Sequence, residues 1–148
     1  MSLKAQIQAD MKDAMRARAK ERLSVIRMLL AAIQMREIED RSELTDAAVL
    51  SVVEKLIKQR KDSAKQFADA GRADRQAAEL SEAEMLQAYL PEQLNEAEIA
   101  ALISDVISAT GASGIRDMGK VMAAIRDKAQ GRADMGSLSA LVKAQLGA

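Results

Sequence analysis

The stretch KERLSVIRMLLAAI, residues 20–33, decides the fold class of this 148-residue chain. Its apolar side chains recur every three or four residues, which is the spacing of one face of an α-helix. Further apolar residues at Val25, Met28 and Leu29 widen that face. This pattern predicts a helix that buries more than one side and lies centrally in a bundle. Arg27 interrupts the pattern, and we expect it to form an ion pair at the edge of the core.

The composition of the whole chain favours helices in the same way. Hydrophobic residues make up 49% of the sequence but aromatic residues only 1%, and there is a single proline. Ala, Leu, Met, Glu and Lys, which are strong helix formers, are abundant. No segment alternates β-branched and polar residues as a half-buried strand does. The sequence therefore predicts an all-α protein with an aliphatic core.

Capping signals delimit two more helices before the proline. Thr45 is the predicted N-cap of a long helix, and Gly71 stands where a left-handed C-terminal cap belongs. A shorter helix over residues 74–88 ends before Pro91, because proline disfavours helix in the residue that precedes it. With an amphipathic helix at the N-terminus, these elements predict a four-helix N-terminal domain over residues 1–91.

Three shorter helices are predicted after the proline. Asn95 and Glu98 have the spacing of a capping box, which opens the first of them. The other two, over residues 117–131 and 134–147, start at an acidic residue and end at glycine. We therefore expect a three-helix C-terminal domain over residues 92–148.

The chain contains no cysteine and no histidine. This excludes thiol and imidazole catalysis, disulfides and Cys/His zinc sites. There is no P-loop and no GxGxxG motif. The acid pairs Glu79/Glu82 and Glu92/Glu96 each share a helix face, but such faces are usually solvated. We therefore expect no catalytic residue, no metal site and no cofactor.

The charge is balanced overall, with 22 basic and 22 acidic residues, but lysines follow one stripe of the long third helix. They are Lys55, Lys58, Lys61 and Lys65. Glu54 and Asp62 lie within one turn of them and could neutralise them, so a solvated face is the simpler interpretation. Phosphate contact is the alternative. No aromatic residue lies among these lysines, so stacking on bases is not expected.

Gly119 lies inside the predicted helix that contains DMGKVM, residues 117–122. Glycine in a helix interior costs about 1 kcal/mol relative to alanine, so the bare backbone requires an explanation. Close packing against another helix is one explanation, and close approach of a nucleic-acid backbone is the other.

Four motifs carry a resemblance to a known family. DMGKVM, followed by GRAD at residues 131–134, resembles the tail domain shared by YqeY-like proteins and the GatB subunit of the glutamyl/aspartyl-tRNA amidotransferase. KERLSVIRML at residues 20–29 and YLP at residues 89–91 resemble the YqeY pattern. The resemblance to free-standing YqeY-like proteins covers essentially the whole chain, whereas the GatB subunit shares only the part after Pro91.

The resemblance implies binding rather than catalysis. It also implies a four-helix domain followed by a three-helix domain, in agreement with the capping signals. In the amidotransferase the tail helps to hold the tRNA while other regions perform the amidation, and those kinase-like and amidase parts are missing here. A family label of carbon–nitrogen ligase with glutamine as amido-N-donor could therefore be inherited from the shared tail.

The leading hypothesis is a non-catalytic module that binds tRNA, or tRNA-handling enzymes, through the C-terminal domain. The candidates for contact are the basic residues near its glycines and one glycine itself. They are Arg116, Gly119, Lys120, Arg126, Lys128 and Arg132. The alternative is a protein–protein adaptor with no RNA contact, and an enzyme acting alone as a carbon–nitrogen ligase comes third.

No N-terminal segment combines a basic start with an apolar stretch, and the apolar run at residues 28–33 is too short to cross a bilayer. We therefore expect a cytoplasmic protein without membrane contact. No oligomeric state is predicted.

Overall fold

The computed structural model of the chain describes residues 1–147, and every regular element in that part is helical. Seven α-helices and one short 3₁₀ turn occur within these residues. They are α1 (Leu3–Arg16), α2 (Lys20–Asp40), α3 (Asp46–Asp69), α4 (Ala73–Gln87), α5 (Glu96–Thr110), the 3₁₀ turn (Ile115–Asp117), α6 (Met118–Ala129) and α7 (Met135–Leu146). The prediction of an all-α protein is confirmed for the described residues.

The predicted caps are formed by the expected side chains. The Thr45 hydroxyl accepts a hydrogen bond from the Ala48 amide at 3.2 Å and begins α3. Asn95 and Glu98 form a reciprocal capping box at the start of α5. Gly111 ends α5 in the left-handed region, at φ +68°, which a residue with a Cβ enters only with strain.

The chain divides into two compact units, Met1–Leu90 and the part from Pro91 onward. The first contains α1–α4 and the second contains α5–α7. Whether each unit folds by itself, as the word domain implies, stays a prediction.

In the first unit α2 contacts each of the other three helices, as the sequence predicted for a central element. It buries Val25, Ile26, Leu29 and Ile33. The partner helices contribute further aliphatic side chains to one core, among them Ile7, Val49, Val53 and Leu86. Burial of an aliphatic side chain of this kind contributes about 1.5–3 kcal/mol each.

Arg27 does not form the predicted ion pair. It is exposed, and no salt bridge involves it among residues 1–147. The reason is the direction of its side chain: over residues 24–33, α2 exposes only one stripe, and Arg27 lies on that stripe between Ser24 and Ala31.

In the second unit α6 packs between α5 and α7. The core is again aliphatic, with Ile103 and Val106 from α5, Val121 and Ile125 from α6, and Leu138 from α7. All of these side chains are buried.

No single helix among the described residues is both long and apolar enough to cross a membrane. The segments Glu96–Thr110 and Ile115–Ala129 meet the criterion of length and composition only as a pair, with a bend of 94° between them.

Candidate nucleic-acid interface

Five of the six candidate residues lie on α6 or directly before it. Arg116 lies in the 3₁₀ turn, Gly119 and Lys120 lie in the first turn of α6, and Arg126 and Lys128 lie in its last turn. All five are exposed. A helix of 12 residues is about 18 Å long, so the candidates form one group at each end of α6.

The group at the start of α6 surrounds an ionised carboxylate. Asp117 accepts a hydrogen bond from the Ser113 amide at 2.9 Å and makes no side-chain cap for α6. That bond has the largest effect and lowers the pKa of Asp117; burial opposes it, and the charges of Lys120 and Arg116 lower the pKa further by smaller amounts. Neither cation forms a salt bridge with another residue in the described part of the chain. The local charge is therefore positive, with one carboxylate against two cations.

Gly119 is not explained by close helix packing. A Cβ atom added at this position would meet nothing within 4 Å. The physical reason is that α6 buries the face with Val121, Ile125 and Ala129, whereas Gly119 lies on the exposed side. The packing interpretation is therefore wrong, and close approach of a nucleic-acid backbone stays a prediction.

The group at the end of α6 does not share a single surface with Gly119. Arg126 is seven residues from Gly119 and lies on the same stripe. Lys128 is nine residues away, which is two and a half turns, so it lies on roughly the opposite side of the helix axis. Both cations also lie in the last helical turn, where positive charge interacts favourably with the helix dipole. Measured from Lys120, however, Lys128 is eight residues away and only about 80° around the helix axis, so Arg126 lies on the side of Gly119 and Lys128 on the side nearer Lys120.

Arg132 lies beyond α6 and is held by a segment that no sequence motif indicated. Its Nε donates to the Glu92 carbonyl at 3.0 Å, and its carbonyl accepts from the Leu94 amide at 2.8 Å. The Gln93 side-chain amide donates to the Gly131 carbonyl at 2.6 Å. The partners in these three bonds are residues 92–94, and together with Pro91 we call them the 91–94 segment. Arg132 is half-buried, unlike the other cations. Sequence patterns do not mark these bonds, because they join residues about 40 positions apart.

The lysine stripe of α3 is exposed along its whole length. Lys55, Lys58, Lys61 and Lys65 all face solvent. The neighbouring Arg60 instead points between α3 and α4, where its Nη1 lies 3.3 Å from the Glu82 carboxylate. All four lysines of the predicted secondary basic surface are therefore exposed.

The acid pair Glu79/Glu82 is engaged in that same contact. Glu79 lies 3.7 Å from the Arg60 guanidinium, and both carboxylates are partly buried at the α3–α4 interface. Arg60 Nε and Glu79 Oε2 are buried without a hydrogen-bond partner in the described residues. The pair is therefore part of an interhelical ion cluster rather than a solvated face.

One groove of about 310 Å³ lies in the first unit, between the start of α2 and α4. Its lining is mixed in charge and contains none of the candidate residues. It is formed by Lys20, Glu21, Ser24, Ala78, Ser81, Glu82 and Met85.

Comparison with known proteins assigns the family. The profile of the Yqey-like protein family matches residues 4–146. The chain belongs to the YqeY-like family. This confirms the resemblance to YqeY-like proteins over nearly the full length.

Two curated relatives of this YqeY-like chain have the name "Altered inheritance of mitochondria protein 41, mitochondrial". The one from Pyrenophora tritici-repentis is 33% identical over 129 residues, covering 86% of this chain and 71% of the relative. The one from Lachancea thermotolerans is 36% identical over 107 residues, covering 70% of this chain and 57% of the relative. A third relative, "Uncharacterized protein C22F3.15" from Schizosaccharomyces pombe, is 34% identical over 91 residues, covering 62% of this chain and 74% of the relative. None of these names states a bound molecule or a reaction.

The prediction of a cytoplasmic protein is contradicted by the relatives from Pyrenophora tritici-repentis and Lachancea thermotolerans, whose names describe mitochondrial proteins. That prediction rested only on the lack of a signal in the sequence. An aliphatic helical core without cysteine is compatible with any aqueous compartment, so neither the composition nor the fold could support it.

Proposed function

We propose that this YqeY-like chain is a non-catalytic helical module that binds folded RNA, with tRNA as the class of partner. One observation carries the proposal: Arg116 and Lys120 are exposed, without salt bridges in the described residues, on either side of the bare backbone of Gly119. Cations contact phosphate oxygens, and a glycine without a side chain lets a phosphate backbone approach closely. The resemblance to the amidotransferase tail supports the choice of tRNA.

The composition of the second unit favours folded RNA over single strands. Single-strand binding platforms stack bases on aromatic side chains. The two aromatic residues of the chain, Phe67 and Tyr89, both precede Pro91. Contacts around α6 would therefore be to phosphates and to the shape of the RNA.

The chain by itself is expected not to transfer an amide from glutamine to misacylated tRNA. The start of α6 offers cations, which bind phosphate, but no pair of nucleophile and base. Incubation of the homogeneous protein with ATP, glutamine and misacylated tRNA tests this. ATP-dependent amidation at the level of a competent enzyme would overturn it.

The binding proposal is tested by titration of labelled tRNA at several salt concentrations. Each phosphate contact contributes a log–log salt slope of about −0.7 to −0.9. Changing Arg116→Gln and Lys120→Gln together should therefore reduce the slope by about one to two units. The matched control is Lys58→Gln with Lys61→Gln, which removes the same charge from α3 and should leave the slope unchanged.

The two pairs of variants also locate the surface. A reduced slope only in the α3 variant would move the binding site to the lysine stripe. If the parent protein shows no saturable binding at low salt, the RNA proposal is wrong and the adaptor takes its place.

One observation favours the adaptor as the second candidate. Met35 and Ile38 lie within one turn of α2 and are 64% and 68% exposed, although both are large apolar residues. Contiguous exposed apolar surface marks protein contact sites, and these two neighbouring side chains are the place where the adaptor would bind its partner. A partner that co-purifies with the parent chain and with Lys61→Gln, but not with Ile38→Gln, would support this function.

A further inference from the structure

We infer that Arg132 is a phosphate-contacting residue with a fixed orientation and that Gln93 is the residue that positions it; this inference rests on the proposed function. It separates Arg132 from the other cations of the second unit. Those are long exposed side chains, whereas Arg132 is half-buried and bonded on one edge.

The Nη1 and Nη2 atoms of the Arg132 guanidinium are available to bind a ligand. Of its five N–H groups, the one on Nε donates to the Glu92 carbonyl at 3.0 Å. The four on Nη1 and Nη2 have no partner among residues 1–147. The edge formed by these two nitrogens can donate two parallel hydrogen bonds to two oxygens of one phosphate. A lysine at this position would keep the charge but lose this geometry.

The backbone around Arg132 is fixed by the same segment. The Arg132 amide donates to the Ala129 carbonyl at 2.9 Å, and the Arg132 carbonyl accepts from the Leu94 amide at 2.8 Å. The Gln93 side-chain amide donates to the Gly131 carbonyl at 2.6 Å and to the Pro91 carbonyl at 3.0 Å, so it links the backbone at residue 91 to the backbone at residue 131. Gln93 therefore joins the two stretches of backbone that together hold the guanidinium.

This arrangement lowers the cost of binding. A free arginine side chain loses rotamer freedom when it contacts a ligand, and a restrained one loses less. The nearest carboxylate in sequence, Asp134, accepts bonds from the Ser137 amide at 3.0 Å and the Ser137 hydroxyl at 2.8 Å, which hold it at the start of α7. The position of Arg132 thus favours one oriented phosphate over diffuse attraction.

The first test needs no RNA. Nitrogen-15 NMR of the full chain reports solvent exchange at the arginine Nε–H groups. In the parent, the Nε–H of Arg132 should exchange more slowly than that of Arg116, and Gln93→Ala should remove the difference. Equal exchange at the two arginines in the parent would overturn the positioning role.

The second test is a tRNA titration with charge held constant. Arg132→Lys should lower affinity about tenfold, the loss of roughly one charge-assisted contact. Arg116→Lys, the matched control, should change affinity less than twofold, because Arg116 has no fixed edge to lose. Gln93→Ala should lower affinity about threefold in the parent and have no effect in the Arg132→Lys background.

The outcomes distinguish the two proposals. If the parent binds tRNA and Arg132→Lys binds equally well, this inference is wrong and the proposed function stands. If Gln93→Ala weakens binding equally in both backgrounds, its role is structural and the positioning role is wrong. A parent that does not bind tRNA overturns the proposed function and the phosphate contact together, while the NMR result still decides the orientation.

Discussion

Gly119 and Gly111 lie in the same unit and differ in one respect that decides what an added methyl group does. A Cβ at either position would meet nothing within 4 Å, but only Gly111 has a positive φ, at +68°. Gly119→Ala should therefore stabilise the chain by up to about 1 kcal/mol, through helix propensity. Gly111→Ala should destabilise it by about 1–2 kcal/mol, through left-handed strain.

Thermal denaturation of the two variants checks this pair, and a shift of roughly 4–8 °C is expected for 1 kcal/mol in a unit of this size. A lower midpoint for Gly119→Ala would restore helix packing as the reason for that glycine.

Tyr89 connects the end of the first unit to its first helix. Its hydroxyl donates to the Asp10 carboxylate at 2.7 Å, and Arg22 lies 3.9 Å from the same carboxylate. Tyr89→Phe should therefore destabilise the first unit by about 1–2 kcal/mol near neutral pH, the value of a hydrogen bond to a charged group. Urea denaturation measures the difference.

The same pair predicts a pH dependence. Burial and then the hydrogen bond to Asp10 raise the pKa of Tyr89 above its usual value of 10.0. A group whose pKa is higher in the folded state stabilises fully below the unfolded pKa and loses that contribution as pH rises. The advantage of the parent over Tyr89→Phe should be constant below pH 10 and shrink above it. An advantage that grows with alkaline pH would contradict this assignment.

The contact between α3 and α4 includes an ion cluster, and its contribution to stability depends on whether its cation and its carboxylates are both present. Arg60 lies between Glu79 and Glu82, with buried unsatisfied atoms on Arg60 and Glu79. Arg60→Leu should destabilise by about 1–3 kcal/mol, because it leaves partly buried carboxylates without a cation. Adding Glu79→Leu should recover most of the lost free energy of unfolding, since both unsatisfied atoms are then gone and only Glu82, the more exposed carboxylate, is left without the cation.

Chemical denaturation of the single and double variants measures this difference. Lys61→Leu, on the exposed side of the same helix, is the control and should change stability by less than about 0.5 kcal/mol. A double variant that is less stable than Arg60→Leu would show that the cluster stabilises the helix pair.

Elements with local signals could be predicted from the sequence, and contacts between distant residues could not. Thr45, Asn95 and Asp134 begin helices as expected, because each cap bonds to an amide three residues ahead. The 3₁₀ turn at Ile115–Asp117 was not predicted, because the sequence placed the start of the next helix at Asp117. The Asp117 amide donates to the Gly114 carbonyl at 2.9 Å and closes the turn, and the Ser113 amide donates to the Asp117 carboxylate at 2.9 Å. No periodicity encodes these bonds.

The candidate site, too, could be predicted from the sequence only where its features are local. The sequence placed cations and Gly119 near α6, but helix geometry was needed to place Arg126 on the side of Gly119 and Lys128 on the side nearer Lys120. The exposure of Gly119 depends on which face α6 buries. The bonds of the 91–94 segment to Arg132 depend on the folded path of the chain, so no motif could have indicated them.

At the scale of the whole molecule, the first unit is expected to fold alone. It ends at Leu90, and its core draws on all four of its helices. A fragment of residues 1–90 should retain its helical circular dichroism and unfold cooperatively. Loss of helicity in this fragment, with the full chain folded under the same conditions, would show that the two units form a single folding unit.

The position of the one tyrosine makes the two units optically distinct. The chain has no tryptophan, and Tyr89 belongs to the first unit. Tyrosine fluorescence and near-ultraviolet absorption should therefore follow the melting of the first unit alone, while far-ultraviolet circular dichroism follows both. Denaturation curves from the two probes coincide only if the units unfold together. The native chain thus carries an internal reporter that separates the units without any label.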